Sequence, residues 1–442
     1  MDSMKPITFC IASANNEREY THLLLRSLQQ NTDISKHEIL IFIDSDNQNT
    51  YESLVEKKSD LPNMRIYRNT SGFPIGSQRN VSLMFGAAKN EIVCYLQSDM
   101  VVGKDFDRHI SENMEDGKTV LSCARIEPPL HPPGPEKIVK DFGITPEEFK
   151  WDDFNSFVAE LQSENRPNMI GHFAPFAIYK RIYFDVMGGF DTQFRCSRED
   201  SDFIIRLEQN GLNAIQSWNA CVYHFTCVSS RGKDWYKQDD FEAKYKNILQ
   251  QHADSEELKR FIRKWGFFGH HPKPVYNIGL FIDMDKFADI QLLEYVEPYF
   301  TNIYINDKMV ARQLKETAQF KSHYYANLRW KYSHEHWENK SHLFTPVSFE
   351  DRIRYVQDIS SIKNDTVMSI RFSDLVHGLN TSSSDIRSVI ENSHSIIDAH
   401  EIGIYEVGGM KIDIRQKNDS SDSYKRANII DDIMNDGLFE FL

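Results

Sequence analysis

The stretch Cys94-Tyr95-Leu96-Gln97-Ser98-Asp99-Met100-Val101-Val102 (CYLQSDMVV) decides how the N-terminal half is read. The apolar run Glu91 to Leu96 (EIVCYL) has the composition of a strand covered on both faces. It stops on a polar triplet ending in one carboxylate, and apolar residues then resume. A second run, Glu38 to Ile43 (EILIFI), also ends on an acid, Asp44. Taken singly, an Asp after a strand is a turn former or a helix cap.

Working outward, strand and helix signals alternate. Ile7 to Ser13 reads as a strand, Glu17 to Gln30 as a helix, and Tyr51 to Lys58 as a helix. Met64 to Tyr67 reads as a strand and Ile75 to Ala88 as a helix. This order predicts an α/β domain with a mostly parallel sheet and helices on both faces. Ligands of such sheets bind beyond the strand carboxyl ends, so Asp44 and Asp99 are expected on one edge. No GxGxxG follows the first strand and no GxxxxGK[ST] occurs, which argues against a dinucleotide enzyme and a P-loop enzyme.

Further along, Gly188-Gly189-Phe190-Asp191 reads as a turn. Glu199 and Asp200 open a helix, Asp200 to Asn210, where acids also suit the helix dipole. The strand Asn219 to Phe225 carries His224, which on its own reads as a hydrogen-bonded core histidine. Cys221, His224 and Cys227 do not share one strand face, so zinc is set aside. In order, ITFCIASANNEREY, FIDSDN, GSQRN, LQSDM, GGFD, RED and VYH resemble a family-2 type GT-A glycosyltransferase over roughly residues 5–235.

The resemblance implies a GT-A, Rossmann-like nucleotide-sugar domain. It implies an inverting glycosyltransferase that moves a sugar, hexose-like, from a nucleoside-diphosphate sugar to a hydroxyl on a glycan, lipid-linked or protein-linked acceptor. By the same resemblance, Ala12, Ala14 and Glu17 border the nucleoside, and Asp44 binds the base, with Asp46 as runner-up. Arg79 and Asn80 flank base and diphosphate, and Ser98 lies with them in the donor site. Asp99 and His224 hold a divalent cation, Mn2+ or Mg2+, and Asp200 is the catalytic base with Glu199 beside it. One departure is visible: Gln97 stands where the family usually has an acid. The alternative reading is therefore a catalytically impaired nucleotide-sugar or glycan binding protein on the same scaffold. A sugar-nucleotide-forming enzyme would need a Gly-rich basic first loop, which ANNERE is not.

Other segments read less sharply. The loop around Arg231, SSRGKDW, is either a lid over the diphosphate or a solvated loop. Residues 127–167 open with EPPLHPPGP and read as an irregular insert, either a structural flap or a cover over the acceptor site in which Trp151 stacks on a sugar face. His172 lines the acceptor pocket or is simply buried.

The chain has 442 residues, so more than one domain is expected. A boundary at His270-His271-Pro272 gives residues 1–271 as the glycosyltransferase domain and 272–442 as a smaller accessory α/β domain. That second half predicts strands at Asn277 to Ile282, Asn302 to Ile305 and Thr366 to Ile370. A hairpin at Ile402 to Ile414, a polar linker at Gln416 to Tyr424 and a helical end complete it. The net charge of −14 argues against nucleic acid as a partner. Six cysteines without paired spacing, and no signal-peptide or membrane-spanning run, point to the cytoplasm. The segment KRFIRKWGFF, Lys259 to Phe268, reads as a packed helix or as a peripheral membrane contact.

Overall fold

In a computed structural model of the full chain, the described residues are 4–70, 76–130, 133–170, 175–191, 194, 198–212, 214–226, 257–267, 273–286, 290–316, 352–381 and 385–427. The chain divides into two compact units, Met1–Ile248 with Lys425–Leu442, and Leu249–Tyr424. Among the described residues, no helix is long and apolar enough to cross a membrane.

In the first unit, β1 (Ile7–Ser13) pairs in parallel with β2 (Glu38–Ile43) and with β4 (Ile92–Gln97), and β2 pairs in parallel with β3 (Met64–Arg68). Beyond β4 the sheet turns mixed. β9 (Phe176–Tyr179) runs antiparallel between β4 and β6 (Val120–Glu127), and β10 (Ala214–His224) pairs in parallel with β6. β5 (Met100–Val102) closes the order β3-β2-β1-β4-β9-β6-β10-β5. Hence β1, β2, β3, β4, β6 and β10 all end on the same edge.

The two faces are covered as the apolar runs require. Phe9 and Ile11 of β1 pack with Leu24 and Leu28 of α1 (Arg18–Asn31), Leu54 of α2 (Thr50–Glu56) and Phe106 and Ile110 of α4 (Phe106–Asn113). Cys10 and Val93, pointing the other way, pack with Val81, Met84 and Phe85 of α3 (Ser77–Ala87) and Phe203 of α6 (Glu199–Gln209). This is the α/β, mostly parallel architecture that the alternation predicts.

Two local features differ from the sequence reading. Residues 127–167 are not irregular throughout: they hold β7 (Lys137–Val139) and the 13-residue helix α5 (Trp151–Ser163). The dense run of prolines ends at Pro135, and the last proline before the helix is Pro146. Beyond them Phe154, Val158 and Leu161 recur at helical spacing and are buried, with Asp152 and Asp153 in the first turn. The last strand also starts earlier than expected, at Ala214, and bulges. Ser217 pairs Cys123 and Cys221 pairs Ala124, so residues 218–220 have no counterpart on β6.

The second unit carries its own sheet, ordered β13-β12-β11-β14-β16-β15. β11 (Ile278–Asp283) is flanked in parallel by β12 (Asn302–Ile305) and β14 (Thr366–Arg371), and β12 pairs in parallel with β13 (Ile353–Tyr355). The expected hairpin is β15 (Gly403–Val407) with β16 (Met410–Ile414), turning on Gly408 and Gly409, both at positive φ. The polar stretch before Tyr424 is packed rather than a free linker. Val275 donates its N–H to Asp419 at 2.9 Å and accepts from the Ser420 N–H at 2.8 Å, and Ser421 is buried. Phe261, Ile262, Trp265 and Phe267 are also buried, so the described part of KRFIRKWGFF offers no apolar face to a membrane. The expected helical C-terminus lies outside the described residues.

A buried histidine makes this unit sensitive to acid. The Nδ1 of His394 accepts the Tyr276 N–H at 2.9 Å, and a Cβ added at Gly266 would meet the ring at 2.6 Å. Burial, with Lys273 nearby, lowers its pKa to about 4 from 6.5. Between those values the unfolded chain binds the extra proton and the folded chain does not. Stability is therefore whole above about pH 6.5 and declines as pH falls toward 4, by on the order of 3 kcal/mol. Urea unfolding of this unit at pH 7, 5.5 and 4.5 checks the slope, which His394→Gln is expected to flatten.

Candidate functional site

The shared carboxyl edge gathers the polar residues that follow β1, β2, β4, β6 and β10. Ala12, at the end of β1, stands between Phe42 and Gln97 in the register. Just past β1, Glu17 is buried and accepts from the Ala14 N–H at 2.7 Å and from the Ser98 hydroxyl. One carboxylate thus ties the loop after β1 to the loop after β4. Asp44, also buried, accepts from the Asn69 amide at 2.8 Å and from the Gly76 N–H at 3.0 Å. Gly76 sits at φ +91, a conformation suited to glycine, and directly precedes α3. Asp44 therefore fixes the amino end of α3, whose first turn carries Arg79 and the buried Asn80.

Asp46 has a different position. Its carboxylate accepts the N–H groups of Gln48, Thr50 and Tyr51 at 3.0, 2.9 and 2.9 Å, at the start of α2. Burial opposes its charge, but these bonds hold its pKa below the usual carboxylate value.

At the end of β10, His224 bridges two acids. Tyr223 pairs Ile126 across the parallel ladder, so the next residues, His224 and Glu127, stand side by side. His224 Nδ1 lies 2.9 Å from Glu127 Oε1, and Nε2 lies 3.5 Å from Asp99 Oδ1. The second Glu127 oxygen accepts from Lys137 Nζ at 2.8 Å, and Arg125 lies 3.6 Å from the first. Burial works against charge on both groups. For His224 the Asp99 and Glu127 carboxylates win, raising its pKa to about 9. For Glu127 the His224, Arg125 and Lys137 cations win, lowering its pKa to about 2.

The start of α6 faces the same region. Burial pushes the Tyr95 phenol up, and the charges of Glu199, Asp99 and Glu17 push it further, while a hydrogen bond with Gln97 opposes them. Asp200, half-buried in the first turn, accepts from the Ser201 N–H at 2.6 Å. The helix is held by a fully buried pair, Arg206 Nε to Asp202 Oδ2 at 2.8 Å, while Arg206 also donates to the Met187 carbonyl at 2.8 Å. Trp151 opens α5, with the Arg26 guanidinium over its ring at 4.7 Å and Phe149 at its edge. His172, Arg231 and Cys227 lie outside the described residues.

Residues 9–185 match the family model described as Glycosyl transferase family 2. The matched stretch lies in the N-terminal half and covers less than half of the chain. A comparison with curated protein sequences gives no match. Among solved structures, three similar chains illustrate the range. The first is GalNAc-T7 with UDP, GalNAc and Mn2+, at 14% identity and TM-score 0.40, covering 59% of this chain and 54% of that one. The second is the mannosyltransferase PcManGT from Pyrobaculum calidifontis in complex with GDP-Man and Mn2+. It has 16% identity and TM-score 0.38, covering 57% and 64%. The third is S. aureus TarS 1-349, at 14% identity and TM-score 0.36, covering 58% and 84%. The chain thus spans less than two thirds of the first two of these proteins.

The family-2 glycosyltransferase resemblance implies a divalent cation, and the donor set can be tested against it. An ionised carboxylate only accepts hydrogen bonds, so the proton shared with Glu127 sits on His224 Nδ1. The Nε2 lone pair then faces the Asp99 oxygen, and two bases converge. The Asp99 carboxylate beside Nε2 is among the causes that raise the His224 pKa. A carboxylate oxygen with an imidazole nitrogen equally suits a cation such as Mn2+ or Mg2+. Among the described residues, no three His, Cys, Asp or Glu side chains cluster to hold an ion, so further ligands would be donor oxygens and water.

Sequence reasoning missed Glu127, which it took as the start of a proline-rich insert. The available signal was Arg125 and Glu127 alternating with Ala124 and Ile126 at the end of a strand. It also missed Asn69 and Tyr95. Asp202→Ala removes the carboxylate partner of the buried Arg206. The expected loss is about 3–5 kcal/mol of unfolding free energy for this unit, measured by urea unfolding.

Proposed function

We propose that the protein transfers a sugar from a nucleoside-diphosphate donor to an acceptor hydroxyl, with inversion at the anomeric carbon. The observation that carries this reading is the gathering of Glu17, Asp44 and Asp99, which lie within the family-2 match, and His224, which lies outside it, on one sheet edge. Asp44, already oriented by Asn69 and Gly76, receives the base. Arg79 and Asn80 lie at the amino end of α3, where the helix dipole and N–H groups favour the donor's anionic diphosphate. Ala12, Ala14 and the Glu17–Ser98 link form the wall against the nucleoside.

Asp99 and His224 would hold Mn2+ or Mg2+, which would supply Lewis-acid stabilisation of the diphosphate leaving group. Asp200 takes the proton of the attacking hydroxyl from the face opposite the diphosphate, and Glu199 helps orient the acceptor. The four described cysteines, Cys10, Cys94, Cys123 and Cys221, are buried free thiols, which supports a reducing compartment, the cytoplasm. The acceptor is a glycan, lipid-linked or protein-linked hydroxyl.

Gln97 favours a second reading. A neutral amide at the strand end supplies no charge to a cation or a ribose, which fits a protein that binds the donor without turning it over. Thermal shifts with nucleoside diphosphates and their sugars, with and without Mn2+, identify the donor. Release of nucleoside diphosphate from that donor then separates the two readings. Transfer is expected in the wild type, and Asp200→Asn is expected to lower it about 10²- to 10⁴-fold while nucleotide binding persists. Binding without release by the wild type supports the second reading. Undiminished turnover by Asp200→Asn removes the assignment of the base.

A further inference from the structure

We infer that Glu127 is a positioning residue for the cation site: it fixes His224 as the Nδ1–H tautomer and turns Nε2 toward Asp99. This rests on the proposal that Asp99 and His224 are ligands, and it adds a residue that makes no contact with the ion.

The geometry has three parts. First, Glu127 and His224 are neighbours across a parallel ladder, so the backbone places them in contact. Glu127 Oε1 lies 2.9 Å from His224 Nδ1, while Nε2 lies 3.5 Å from Asp99 Oδ1. Second, Glu127 is itself held. Lys137 reaches its other oxygen at 2.8 Å, and Lys137 belongs to β7, which pairs in parallel with β6. Third, the carboxylate is buried, at 2% exposure, with Arg125 at 3.6 Å as a second cation. The Lys137 contact and the strand ladder hold the Glu127 carboxylate in place, so that its Oε1 accepts from His224 Nδ1–H.

Burial of a charge is unfavourable unless the charge is matched, and here Lys137, Arg125 and His224 match it. The arrangement follows a general rule of imidazole ligands: the nitrogen away from the ion donates to a carboxylate, which raises the basicity of the ligating nitrogen. Loss of such a partner typically weakens metal binding by about 10- to 100-fold. Without Glu127, the ring is free to carry its proton on Nε2 and to donate to Asp99. That tautomer closes the site, because the lone pair needed by the cation is occupied.

The test measures Mn2+ binding to the full chain by electron paramagnetic resonance, with the nucleoside diphosphate that gives the largest thermal shift. Long-range 15N–1H spectra of the histidines with Mg2+ in place of Mn2+ accompany it, and His224→Ala identifies the signal. Wild type is expected to bind Mn2+ with the His224 proton on Nδ1. Glu127→Gln keeps the shape but loses the charge, and is expected to bind about 10- to 100-fold more weakly with Nε2–H populated. Lys137→Met, which leaves Glu127 in place but frees one oxygen, is expected to shift both readouts less and in the same direction. It serves if Glu127→Gln fails to fold. Wild-type Mn2+ affinity and an unchanged tautomer in the folded variants overturn the inference and leave the ligand assignment standing. Failure of the wild type to bind Mn2+, or undiminished binding by Asp99→Asn, overturns both.

Discussion

Parallel strands that share a ladder end together, and this geometric constraint underlies the whole N-terminal unit. β1 pairs with β2 and β4 over five or more consecutive residues each, so Ser13, Ile43 and Gln97 finish within one register of each other. β6 and β10 meet the same edge on the far side of β9, with Glu127 and His224 at their tips. Residues scattered over more than two hundred positions reach one line without any long loop having to carry them there. The edge is rigid because the strands behind it are buried on both faces. The polar residues are in turn cross-linked, Glu17 to Ser98 and Asp44 to the start of α3.

Most of this was legible in the sequence because apolar runs and their polar stops carry strong physical signals. EILIFI and EIVCYL are buried strands, and the acids after them fall on the expected edge. The helix α5 was not legible from its surroundings, since the proline cluster at Pro128 to Pro135 drew the whole segment into an irregular reading and masked a regular apolar spacing. The antiparallel strands β5 and β9 were also hidden. Each is four residues or fewer, and strand direction depends on what the chain does between strands rather than on composition.

The site was legible in residue type but not in partnership. His224 reads equally as a buried histidine or a ligand from sequence, because the carboxylates that distinguish the two lie 97 and 125 positions away. The 97-residue separation from Glu127 is spanned by one hydrogen bond, and Asp99 is the more distant acid. Similarly, Asp44 and Asp46 look interchangeable in FIDSDN. Only the backbone separates them, giving one to α3 and Asn69 and the other to the amides that open α2.

The bulge in β10 has a bearing on kinship. Three residues without counterparts split the strand into two independently phased halves, and only the second half, Cys221 to Tyr223, sets which way His224 points. Insertions or deletions between Ala214 and Ala220 can be absorbed there without rotating the histidine to the opposite face. The spacing from the Glu-Asp pair to the histidine is therefore free to drift among descendants of this chain. A pattern search that fixes that interval would discard true kin, while one anchored on the residues flanking the histidine would retain them.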